Sequence, residues 1–163
     1  MARSARDPIE TPGANELRAF AYRLLGRREY SVFELGQRIR QKWQGAEGID
    51  DLAEELLQDL QDENLLSDER FVESFVRSRV GRHQGPLKIK AALRDKGVSD
   101  ALVSTELQAY SDQWTDLAAA WLSRQLAGPI DYDVKKKYYR RLASRGFTHS
   151  QAMDAMNRAS RES

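Results

Sequence analysis

Apolar residues recur at helical spacing along nearly the whole chain. Phe20, Ala21, Leu24 and Leu25 make a first stripe, and Phe33, Leu35 and Ile39 make a second, with Trp43 at its end. Leu52, Leu56, Leu57 and Leu60 make a third, and Phe71, Val72, Phe75, Val76 and Val80 a fourth. Gly85-Pro86 breaks the chain and opens a fifth helix with Ile89, Ala92 and Leu93 on its apolar side, because proline fits the first helical turn. A sixth helix is predicted from about Asp100 to Tyr110, with a break at Ser111-Asp112. Leu117, Ala118, Trp121 and Leu122 mark the seventh helix. Val134, Tyr138 and Leu142 mark the eighth, and Ala152, Met153 and Met156 the ninth. The pattern predicts an all-α fold.

Cap residues punctuate these stripes. Asn15, Ser31, Asp50, Ser67 or Asp68, Ser99, Asp131 or Asp133, and Thr148 stand where helices should begin, and Glu34 completes a capping box with Ser31. Three glycines share one grammar of stop, apolar anchor and N-cap: Gly48-Ile49-Asp50, Gly97-Val98-Ser99 and Gly146-Phe147-Thr148. Upstream of them, Ile39-Arg40-Gln41-Lys42, Leu93-Arg94-Asp95-Lys96 and Leu142-Ala143-Ser144-Arg145 align. The interval is near 50 residues, so the chain reads as three tandem three-helix repeats. Stacked repeats give an extended, solenoid-like body with a concave side. Residues 1–14 read as a disordered tail, 15–66 as the first repeat and 67–112 as the second. Residues 113–163 are the third repeat with a short C-terminal tail.

Charge changes the picture from scaffold to binder. The net charge is only +1, but it lies in blocks. Nine acids and no Lys or Arg fall between Asp50 and Glu69. Arg18 to Lys42 before them is mostly basic; Arg70, Arg77, Arg79, Arg82, Lys88, Lys90, Arg94 and Lys96 then follow, opposed by few acids, and Lys136, Lys137, Arg140 and Arg145 belong to a third basic block. Such alternation presents a basic surface on a near-neutral protein. A cation at the C-terminal end of each middle helix (Lys42, Lys96, Arg145) also suits the helix dipole, which is its plain structural explanation. Arg79 lies in line with Phe71 and Phe75, so its stem packs while its guanidinium finds a partner or snorkels out to solvent.

Candidate chemistry narrows the picture by what it leaves out. There is no Walker loop, no dinucleotide fingerprint and no nucleophile elbow. His83 and His149 stand far apart and cysteine is absent, so no zinc site, thiol chemistry or disulfide is expected. Asp131-Tyr132-Asp133 reads as capping rather than as a metal pair. No membrane span or signal peptide is expected. The reading is a non-enzymatic, cofactor-free, cytoplasmic monomer that works by binding.

Several of these residues also carry a resemblance. Arg28-Glu29-Tyr30-Ser31 with Glu34-Leu35, then Asp68-Glu69-Arg70-Phe71, Phe75-Val76, Arg79, Gly85-Pro86, Ile89, Leu93 and Lys96-Gly97-Val98 match the pattern of one family. Lys135-Lys136-Lys137, Leu142 and Arg145-Gly146-Phe147 extend the match. The chain from roughly Leu17 to Ala159 resembles the RecX family, bacterial regulators of the RecA recombinase. The long loop before Gly48-Ile49 is a departure. The resemblance implies tandem three-helix repeats in a curved, elongated molecule. It also implies binding along the groove of the RecA filament on single-stranded DNA. Inhibition of filament extension would follow, and with it of strand exchange, ATP hydrolysis and the coprotease activity behind the SOS response.

The expected partner surface is Arg70, Arg77, Arg79, Arg82, Lys88, Lys90, Arg94, Lys96, Lys136, Lys137, Arg140 and Arg145. The expected core is Phe71, Phe75, Ile89, Leu93, Tyr138 and Leu142. Two other classes stay open: a module that binds single- or double-stranded DNA directly through the basic helices, and an adaptor for some other protein.

Overall fold

The computed structural model describes residues 7–162. Among them are nine α-helices and no strand: α1 Ala14–Leu25, α2 Val32–Lys42, α3 Ile49–Asp62, α4 Asp68–Gly81, α5 Pro86–Asp95, α6 Asp100–Gln108, α7 Trp114–Gln125, α8 Tyr132–Ser144 and α9 His149–Arg161. The chain packs as two compact units that divide inside α4, the first ending at Phe71 and the second starting at Val72.

In the first unit α1, α2 and α3 pack on one another. Leu17, Ala21 and Leu24 meet Leu35, Ile39 and Trp43 from α2, and Ala53, Leu56, Leu57 and Leu60 from α3. Phe20 stands edge-on to Trp43 with centroids 5.2 Å apart. Tyr30, in the turn between α1 and α2, is also buried. Phe33 departs from expectation and is 46% exposed. The reason is angular. Residues two apart on a helix point to nearly opposite sides, so Phe33 cannot share a face with Leu35. Glu34 takes the inner place instead, held by a cation. Residues 7–13 form no helix, yet they are not a free tail: Pro12 is buried and Thr11 Oγ1 donates to the Glu47 carbonyl at 2.9 Å. The rest of the expected tail, 1–6, lies outside the described residues.

In the second unit α5 packs on α6, and α9 packs chiefly on α7 and also on α8. Val72, Val76, Ile89, Leu93, Val103, Ala118, Leu122, Leu142, Phe147, Ala152 and Met156 are buried. Phe75 and Tyr138, expected in the core, are only half-buried. Each lies beneath a cation at the surface: Arg79 sits 4.5 Å from the Phe75 ring centroid, and Arg141 sits 5.3 Å from that of Tyr138. Met153 is 39% exposed, outside the Ala152, Ala155 and Met156 stripe.

Local chemistry sets the helix starts. Ser31, Ser67, Ser99 and Asp131 accept from the amides of Glu34, Arg70, Leu102 and Val134, and Thr148 forms a capping box with Gln151. Asn15 and Asp50 are not the caps expected of them. Gly13 and Gly48 hold those positions, and Asp50 lies within the first turn of α3.

One close approach fixes the second unit. After α4, the Gly85 amide donates to the Arg145 carbonyl at 2.7 Å, and the Leu87 amide donates to the Gly146 carbonyl at 2.9 Å. The N-terminal end of α5 therefore meets the C-terminal end of α8, donor to acceptor, and each satisfies groups the other leaves open. Both glycines are needed. A Cβ on Gly85 would lie 2.3 Å from the Gly146 carbonyl carbon, and one on Gly146 would lie 2.4 Å from Lys88 Cβ. Gly146 also turns at φ +97°, where a side chain is strained.

Candidate partner-binding surface

The motif residues of the first unit form an interlocked brace. Arg28 pairs with Glu34 at 2.8 Å, and its guanidinium carbon lies 3.7 Å from the Tyr30 ring centroid. The bond from Glu34 raises the pKa of Arg28 above its usual value. Glu29 pairs with Arg70 at 3.1 Å, and Arg70 also donates to Asn64 Oδ1 at 2.9 Å. Asp68 Oδ1 accepts from the Val32 amide at 2.8 Å, at the start of α2. So the stretch Asp68-Glu69-Arg70 and the stretch Arg28-Glu29-Tyr30-Ser31 hold each other. Arg70, expected on the partner surface, is engaged inside the fold.

Arg145 is engaged as well. Its Nε donates to the His83 carbonyl at 3.0 Å, its second terminal nitrogen donates to the Arg82 carbonyl, and its guanidinium carbon lies 5.0 Å from the Trp121 ring centroid. These carbonyls close the end of α4, where His83 takes a left-handed backbone at φ +56°. Burial and the nearby Arg124 and Arg145 charges lower the His83 pKa below its ordinary value. Arg145 thus acts as a clasp beside the Gly85–Gly146 contact.

The other cations lie differently. Arg82, Lys88, Lys136, Lys137 and Arg140 are exposed, and Lys90 is half-buried. Arg77 pairs with Glu73 at 3.6 Å and Arg94 with Asp100 at 3.9 Å, all four side chains more than half exposed. Pairs so exposed contribute only about 0–1 kcal/mol, so they yield readily to a partner. Lys90 and Arg94 stand four apart on α5, and Lys136 and Arg140 four apart on α8, which puts each pair on one helix face. Such faces suit phosphate or acidic protein surface. Sequence reading named these cations but missed the internal duties of Arg70 and Arg145. It also missed a face of α8 made by Tyr132, Lys135, Lys136 and Tyr139, whose i, i+3, i+4, i+7 spacing was the available signal.

The structure is thus an all-helical repeat fold with exposed basic faces on α5 and α8. The second three-helix domain of RecX, as a family model, matches residues 67–107. A regulatory protein RecX from Chromohalobacter salexigens is 42% identical over 140 residues, covering 85% of this chain and 90% of its own. One from Halorhodospira halophila is 34% identical over 149 residues, covering 90% of both. The crystal structure of RecX from Lactobacillus salivarius superimposes with a TM-score of 0.74 at 21% identity, over 89% of this chain and 95% of that one. The chain belongs to the RecX family, whose members are regulatory proteins and not enzymes. No helix among the described residues is long and apolar enough to cross a membrane.

Proposed function

We propose that this protein regulates RecA by binding its filament on single-stranded DNA and limiting filament extension. Strand exchange, ATP hydrolysis and coprotease activity fall as a consequence, which moderates DNA repair and the SOS response. It acts as a monomer in the cytoplasm, built of three three-helix units. The observation that carries the reading is family membership at 42% identity over most of both chains. The surface supports it: the exposed cations of α5 and α8 suit an acidic protein surface bordered by phosphates. A direct DNA-binding reading draws on the same cations, since lysine and arginine release counterions from phosphate.

The deciding experiment follows RecA-catalysed ATP hydrolysis on single-stranded DNA with the protein in substoichiometric amount. Progressive loss of hydrolysis is expected. Inhibition only when the protein saturates the DNA, lost steeply with salt in parallel with binding to bare DNA, overturns the filament reading in favour of the DNA one.

A further inference from the structure

Helices α8 and α9 leave an open cleft of about 300 Å³. Its lining is Tyr132, Lys135, Lys136 and Tyr139 from α8, and Met153, Met156 and Asn157 from α9. On each helix these residues share one face, at spacings of three and four. The lining is mostly apolar, and its solvent side is unusually bare: Tyr132 is 78% exposed and Met153 39%. Methionine is flexible and polarizable, and it moulds itself to varied apolar guests. The lining contains two lysines and no carboxylate. Tyr139 is held in place, with its hydroxyl 2.8 Å from His149 Nδ1.

We infer that this cleft is a docking site for an acidic protein segment that inserts one aromatic or large aliphatic side chain. The apolar floor takes the anchor, and Lys135 and Lys136 take carboxylates beside it. Charge complementarity selects that occupant. A purely apolar segment would leave both ammonium groups without anionic partners, and a basic segment would be repelled. A nucleobase could also stack on Tyr132 beside the lysines, so the test sets a thymidine oligonucleotide against the peptide. The inference goes beyond the filament reading and does not depend on it.

The test uses the full chain without RecA, so its failure leaves the ATPase result untouched. Fluorescence anisotropy is read with a labelled Asp/Glu-rich peptide of about twelve residues carrying a central Phe-Leu pair. Binding is expected. It should weaken about tenfold or more when Phe-Leu becomes Ser-Ser, since the burial of one large apolar side chain is worth that much. Replacing the acids by lysine should abolish it. Tyr132→Ala, at a position too exposed to matter for folding, and Met153→Glu should each reproduce the loss while the helical circular dichroism stays unchanged. Three results overturn the inference: no binding of the acidic peptide, binding indifferent to both variants, or displacement of the peptide by a thymidine oligonucleotide that binds the cleft more tightly. Self-association in sedimentation that Met153→Glu abolishes also overturns it, by assigning the cleft to a second copy.

Discussion

The two units hold their cations in different ways. In the first, Arg18 meets Glu63 at 2.7 Å, Arg28 meets Glu34, Arg40 meets Asp50 at 3.2 Å and Arg70 meets Glu29. The acidic block that begins at Asp50 supplies two of these partners, Asp50 in α3 and Glu63 just beyond its end. Hydrogen bonds and charge push the Arg18 pKa up and that of Glu63 down, as mutual pairing requires. In the second unit Lys88, Lys136, Lys137 and Arg140 are exposed, and Arg77, Arg94 and Arg158 pair with exposed carboxylates. Its cohesion comes instead from backbone meeting backbone at Gly85 and Gly146, and from Arg145 on main-chain carbonyls. Basic residues therefore do different things, and the deciding variable is what folds beside them: a half-buried carboxylate, a main-chain carbonyl or solvent. Charge blocks along the sequence do not reveal that.

The sharpest way to break this comparison is charge reversal on one side only. Lys90→Glu with Arg94→Glu should abolish inhibition of RecA-catalysed ATP hydrolysis, while the chain stays folded with a modest loss of stability, since Arg94 is exposed and Lys90 half-buried. Arg40→Glu in the first unit should leave inhibition near wild type. Equal loss from both would show that the units share the partner surface.

Next in size is the glycine contact. Gly85→Ala should destabilise the protein by about 1–3 kcal/mol in urea unfolding, the usual cost of forcing atoms into filled space. Here the opposing atoms are main chain and cannot step aside. Gly13→Ala meets nothing within 4 Å and should stay close to neutral. If the two are alike, the α5–α8 junction does not hold the second unit.

An effect of similar size is expected at Phe75. A fully buried phenylalanine costs about 3–5 kcal/mol on truncation to alanine. Phe75 is half-buried under Arg79, so Phe75→Ala should cost roughly half of that. Ile89→Ala, at a site with 0% exposure, should cost about 2–5 kcal/mol. A ranking with Phe75 above Ile89 would return Phe75 to the core.

Helix positions were legible in the sequence because they follow from spacing and caps, which are local. Ser99, Thr148 and the Gly146 turn needed only neighbours within a few residues. The Gly85 turn was legible as a break, but its contact with Gly146 was not, because 61 residues separate them and nothing in either turn names the other. The inward place of Glu34 was hidden for a related reason: a buried carboxylate makes sense only once Arg28 is seen beside it. The cations of α5 and α8 could be named from sequence, yet telling them from Arg70 and Arg145 required the fold. The cleft was legible in part, since the α8 stripe is local while its α9 wall is not.

The smallest expected effect is on pH dependence, and it probes the clasp. His83 ends α4 in a left-handed turn, and its carbonyl accepts from Arg145. Burial first, then the Arg124 and Arg145 charges, make its imidazolium unfavourable in the folded chain. In the unfolded chain His83 takes a proton near the ordinary value of about 6.5. The folded form takes it only at lower pH. Between the two values the unfolded state holds more protons, so stability rises with pH there. Read downward, stability is full above the ordinary histidine range and falls as the pH drops through it toward the lower folded value. Urea unfolding at about pH 7.5 and about pH 5.5 should show this loss in the wild type. His83→Asn should shrink it, because asparagine tolerates the left-handed turn and does not titrate. An equal pH dependence in both proteins would mean that the Arg145 clasp does not feel the charge on its neighbour.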